Sequence, residues 1–129
     1  MGSKITAIVI DASDVDRLAA FWATVLGWEC RLDPDGDVVV ADPAHGSGLE
    51  LCLIRVPEAK TVKNRVHIDL KPTGADQAEE LERLLGLGAV RVDMDQGDPS
   101  WLVLADPEGN EFCLLARRLD AGEALVAPE

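Results

Sequence analysis

Apolar positions along this chain follow two periods, and they do so twice in the same order. Residues 4–11, KITAIVID, form a β-branched apolar run of strand length. Ser13 then reads as a helix cap with Asp16 in the first turn. Val15, Leu18, Ala19, Trp22, Val25 and Leu26 recur at helical spacing, and Gly27 ends the helix. A short strand over 28–32, the turn Asp33-Pro34-Asp35-Gly36, a strand over 37–41, a loop over 42–47 and a strand over 49–56 complete a βαβββ unit. The polar stretch 57–64 reads as a linker. From 65 the order repeats. Strict alternation over 65–71 puts Val66, Ile68 and Leu70 on one face and Arg65, His67 and Asp69 on the other. Thr73 with Asp76 repeats the cap pattern. Ala78, Leu81, Leu84 and Leu85 give a second helical stripe, which Gly86 or Gly88 ends. A strand over 89–93, an acidic loop over 94–99 and a hairpin of 101–105 with 111–117 follow, the hairpin turning at Asp106-Pro107-Glu108-Gly109.

The two halves also share residues. GLELCLIRV at 48–56 and GNEFCLLAR at 109–117 align Gly48 with Gly109, Glu50 with Glu111, Cys52 with Cys113 and Leu53 with Leu114. Each is preceded by an apolar run ending in Ala-Asp-Pro. Two copies of one supersecondary unit are the simplest account. The expected class is therefore α+β. A single domain spans 1–118, built from module 4–56 and module 65–117 joined by linker 57–64, with a C-terminal tail over 119–129. Each half-sheet has one face under its helix, so the halves are expected to curl together around a cleft.

Composition narrows the function. At 129 residues with 47% hydrophobic content, the chain can bury one core, and halves near 60 residues are marginal alone. No apolar run approaches the ~18 residues that span a bilayer, and the N-terminus lacks a cleavable signal pattern. A soluble, cytoplasmic protein without membrane partners is expected. Twelve Lys and Arg stand against 24 Asp and Glu, a net charge of −12 that repels phosphate backbones. Nucleic acid is thus disfavoured as a partner. Cys30, Cys52 and Cys113 form no CxxC and imply reduced thiols. There is no phosphate-binding glycine loop, GxSxG elbow or HExxH. A Cys113–His67 nucleophile pair would need both on neighbouring strands together with a third, orienting group.

The paired modules, the Asp-Pro-Glu-Gly-Asn turn before the last strand, and the LGW and LGLGA helix exits resemble the vicinal oxygen chelate superfamily over roughly residues 4–117. That superfamily includes glyoxalase I, extradiol dioxygenases, fosfomycin-modifying enzymes and bleomycin-binding proteins. The resemblance is specific for fold and poor for function. It implies homodimers and, in metal-using members, ligands from the first, fourth, fifth and eighth strands. A divalent ion (Zn, Ni, Mn or Fe) then acts as a Lewis acid on a vicinal oxygen pair. Carried over by position, the fifth-strand ligand is His67. The fourth-strand ligand is Glu50 if the LEL triplet sets the register, or Cys52 if the repeat does. The eighth-strand position holds Cys113, where relatives carry Glu, with Glu111 two residues nearer the turn. The first-strand position falls on Ala7 or Thr6, neither a usual ligand. The implied metal set of His67, Glu50 and Cys113 is degenerate.

Trp28 and Trp101, at strand starts near loops, offer indole faces to a flat or cationic ligand, whereas Trp22 reads as core. The acidic loop over 93–98, together with Glu111, adds negative potential beside Trp101, and Asp69 is the further ligand-binding candidate. The expected function is small-molecule binding of the glyoxalase/bleomycin-resistance type, taking a cationic or aromatic ligand. A metal-dependent lyase or isomerase using His67 and Glu50 is the alternative if the protein is an enzyme, and a catalytically silent interaction module is the third reading.

Overall fold

The computed structural model describes residues 1–92 and 101–117; the acidic loop and the C-terminal tail of the sequence reading lie outside them. The element order is β1 (Ala7–Ala12), α1 (Val15–Leu26), β2 (Glu29–Leu32), β3 (Val38–Ala41), β4 (Glu50–Arg55), β5 (Ile68–Leu70), α2 (Gln77–Leu87), β6 (Val90–Arg91), β7 (Trp101–Ala105) and β8 (Glu111–Leu115). This is the βαβββ pattern twice. The strands form two four-stranded mixed sheets, ordered β1-β4-β3-β2 and β5-β8-β7-β6. In each, the first strand of the module runs parallel to the fourth and the other pairs are antiparallel.

The chain divides into two compact units. The first comprises Met1–Val62 together with the turn Asp106–Asn110, and the second comprises Lys63–Ala105 with the chain from Glu111. The sequence reading assigns the whole β7–β8 hairpin to the second module, yet its turn packs with the first unit. Asp106 explains why. It is 2% exposed, and its carboxylate accepts the indole N–H of Trp22 at 3.0 Å. The same carboxylate accepts the backbone N–H groups of Glu108 and Asn110, both at 2.9 Å. A buried carboxylate is tolerable only when its lone pairs are so filled. Gly109 completes the turn at φ 86°, a region that costs glycine nothing. The first module repeats the device, with Asp42 accepting from Ala44 N–H at 2.9 Å and Gly46 N–H at 3.3 Å.

Helix α1 covers one face of the first sheet. Val15, Leu18, Ala19 and Trp22 are buried from the helix side, as are Val38, Val40, Leu51 and Leu53 from the sheet side. Each large side chain removed from water there contributes about 1.5–3 kcal/mol. Trp22 is core, as its spacing implies, and meets Phe21 edge to face at 5.3 Å between centroids. Gly27 closes the helix in the left-handed region.

The helix starts differ from the sequence reading. The N-cap of α1 is Asp14, not Ser13; its side chain accepts from Arg17 N–H at 3.2 Å. Ser13 is drawn away by Glu108, whose carboxylate accepts Ser13 N–H at 2.7 Å, Ser13 O–H at 3.0 Å and Asp14 N–H at 3.2 Å. A carboxylate from the distant turn thus caps a helix end that carries positive partial charge. Likewise α2 is capped by Asp76, which accepts Glu79 N–H at 2.9 Å, not by Thr73. Helix α2 packs on β8, with Leu84 fully buried and Gln77 Nε2 donating to the Leu114 carbonyl. Strand β5 is shorter than the alternation over 65–71 implies. Its pairing with β8 covers only Ile68–Leu70, so His67 lies just before it.

Candidate functional site

Strand register assigns every residue of the first sheet to a face. The face turned away from α1 carries Ala7 and Val9 of β1, Glu50 and Cys52 of β4, Val39 and Ala41 of β3, and Arg31 of β2. Glu50 and Cys52 share it, as period-two alternation requires. The β1 partners of these two residues are Ala7 and Val9, so the first strand offers no donor side chain at either register. Thr6 precedes β1 and its carbonyl accepts Glu50 N–H at 3.1 Å.

Two features there escaped the sequence reading. Arg31 Nη2 lies 2.5 Å from Glu50 Oε2, an ion pair reaching diagonally across β3. The turn between β2 and β3 also brings Asp33 and Asp37 to Cys52, with one ligand atom of each within 4.8 Å of the others. Asp33 Oδ1 accepts the N–H groups of Asp35 at 2.9 Å and Asp37 at 3.0 Å, which draws the turn tight. The signal for the acidic pair in the sequence is Asp-Pro-Asp-Gly-Asp, whose turn chemistry masks it. Burial raises the Cys52 pKa, and the negative charges of Asp37, Asp33 and Glu50 push it further up. The thiol thus keeps its proton to higher pH than an ordinary cysteine. Cys30 faces α1 instead, its Sγ 3.6 Å from the Ala19 carbonyl, and partial burial raises its pKa too.

Beside this face, a pocket of about 80 Å³ is lined by Ala41, Asp42, His45, Gly48, Leu49 and Glu50. His45 takes a positive φ of 56°, the one non-glycine residue to do so among those described.

The second unit holds the remaining candidates. Register aligns Asp69, Cys113 and Val103 on one face of its sheet, the face that also carries Trp101 and Glu111. Trp101 is 44% exposed. Glu111 turns its carboxylate to the linker, accepting Asn64 N–H at 3.0 Å. Cys113 is half-buried, while His67 and Asp69 are exposed. Trp28 belongs to the first unit, half-buried just after the α1 cap, with its backbone N–H donating to the Ala23 carbonyl. The metal set of the sequence reading is therefore divided, Glu50 in the first unit and His67 and Cys113 in the second.

The profile of the Glyoxalase-like domain family matches residues 7–115. The chain belongs to that family. Its fold is that of the vicinal oxygen chelate superfamily, shared with solved structures of low sequence identity. A variant of the fosfomycin resistance protein FosX from Listeria monocytogenes, complexed with Mn(II) and 1S,2S-dihydroxypropylphosphonic acid, aligns at TM-score 0.68 and 18% identity, covering 92% of this chain and 96% of that one. FosX from Mesorhizobium loti aligns at TM-score 0.69 and 16% identity, over 92% and 95%. A possible glyoxalase from Bacillus cereus aligns at TM-score 0.65 and 16% identity, over 89% and 100%. At such identities the likeness is one of fold. No curated protein matches the chain. No described helix is long and apolar enough to cross a membrane.

A divalent ion, which metal-using members of the superfamily hold, does not fit the fourth-strand position of this chain. The Glu50 carboxylate already has a guanidinium against it, and its β1 partner is an alanine. A metal ion on Glu50 would have to displace Arg31.

Proposed function

We propose that the protein is a metal-independent, small-molecule-binding member of the glyoxalase/bleomycin-resistance type that takes a cationic or aromatic ligand. The observation that carries this reading is the Arg31–Glu50 pair beside donor-free Ala7 and Val9, which leaves the metal site degenerate. The half-exposed indole of Trp101, on a sheet face shared with Asp69 and Glu111, supports an aromatic and cationic ligand class. Trp28 is the second indole proposed to contribute. Cytoplasmic location and a homodimer complete the reading. Intrinsic fluorescence tests it: cationic aromatic compounds shift the tryptophan emission, and Trp101→Ala removes the shift.

A second reading draws on the Mn(II) complex of FosX among the fold neighbours. In it, His67, Glu50 and Cys113, with Glu111 assisting, hold a divalent ion for lyase or isomerase chemistry. It requires stoichiometric metal that His67→Ala strips.

A further inference from the structure

We infer that Arg31 is the resident cation of the first sheet, standing where metal-using members of the superfamily place a divalent ion and excluding one from Glu50. The inference rests on the metal-independent reading above and names the residue responsible for it. Three observations converge. Glu50 sits between alanines, Ala7 on β1 and Ala41 on β3, so neither flanking strand supplies a donor or the bulk to block an incoming side chain. Arg31, in register with Val39, reaches over β3 past these small residues and sets Nη2 at 2.5 Å from Glu50 Oε2. The carboxylates of Asp33 and Asp37 lie around Cys52, which shares a register row with Val39 and Arg31. They make the local potential negative, which favours a resident guanidinium.

The pair is exposed, 56% at Arg31 and 36% at Glu50, so it adds little to fold stability. Its effect is on what else can bind. A divalent ion on Glu50 would stand within a few ångströms of a fixed positive charge. Two charges against one at ~4 Å, even with the dielectric of water, weaken binding roughly thirtyfold. A guanidinium stays charged throughout the physiological range. The charge therefore disfavours metal at this position across the physiological range.

The test is titration of Mn²⁺ into the full-length chain, with the loss of the free-ion electron paramagnetic resonance signal as the readout. Wild type is compared with Arg31→Ala, Arg31→Lys, Glu50→Gln and the double variant Arg31→Ala/Glu50→Gln. Arg31→Ala gains affinity by roughly tenfold or more, Arg31→Lys stays like wild type, and the double variant loses the gain. The exposed site lets all four fold, which circular dichroism verifies. An Arg31→Ala affinity equal to wild type overturns the inference. So does a wild-type equivalent of Mn²⁺ that Glu50→Gln releases. The titration reads metal alone and the fluorescence experiment reads organic ligand alone, so failure of one is distinguishable from failure of the other.

Discussion

Replacing Asp106 by alanine removes more than one hydrogen bond. The carboxylate accepts from the Trp22 indole at 3.0 Å, from the Glu108 and Asn110 amides at 2.9 Å, and from the Asn110 side chain at 3.0 Å. Trp22 is 1% exposed, so its N–H would lose this acceptor where bulk water does not reach. An orphaned buried donor costs about 1–3 kcal/mol. The partly buried turn amides lose their acceptor too, and the change is expected to cost about 3–5 kcal/mol in all. That is a large share of the roughly 5–15 kcal/mol that holds a domain folded. Asp106→Asn keeps one acceptor oxygen but turns an NH₂ toward a donor, and falls between the two. Urea unfolding, followed by circular dichroism and tryptophan emission, gives the values. A Trp22→Phe/Asp106→Asn double-mutant cycle isolates the pair. A loss under about 1 kcal/mol in Asp106→Ala would refute the argument that this carboxylate anchors the turn in the first unit.

Glu108→Ala should destabilise by about 0.5–2 kcal/mol, the usual worth of a helix cap, and Glu108→Gln by less, since the amide oxygen still accepts from Ser13 N–H. Equal losses in the two variants, measured by denaturant midpoint, would show that its acceptor oxygens are irrelevant. Cys52 should alkylate slowly at mildly alkaline pH, because burial first, then Asp37, Asp33 and Glu50, raises its pKa. Asp37→Asn removes one of those causes, so the alkylation profile of the Cys52 peptide, read by mass spectrometry, moves to lower pH; an unmoved profile contradicts the assignment. The sign for stability follows. The folded chain holds this proton to higher pH than the unfolded chain, so the thiol's contribution is full below the ordinary range near ~8.5 and is lost as pH rises through the raised value.

The duplicated architecture was legible because it is written in local chemistry. Gly48 and Gly109, aligned by the repeat, both adopt positive φ, and each precedes the strand that pairs in parallel with the first of its module. The helix caps were misplaced by one residue at Ser13 and by three at Thr73. At Ser13 the cause is tertiary: the capping residue that draws it away, Glu108, stands 95 positions along the chain. The length of β5 was overread since alternation continues through Val66 and His67, where pairing with β8 has not begun. In the site, period two placed Glu50 and Cys52 on one face. It could not place Arg31 against Glu50, because that contact depends on strand order β2-β3-β4 and on how far a guanidinium reaches across a strand.

The central claim, ligand binding without metal, is tested most directly by titrating a panel of cationic aromatic compounds into the protein in excess chelator while following tryptophan emission. The account predicts a saturable shift that persists in the chelator and disappears in Trp101→Ala. A panel without response, or a shift that appears only when a divalent ion is restored, would contradict it.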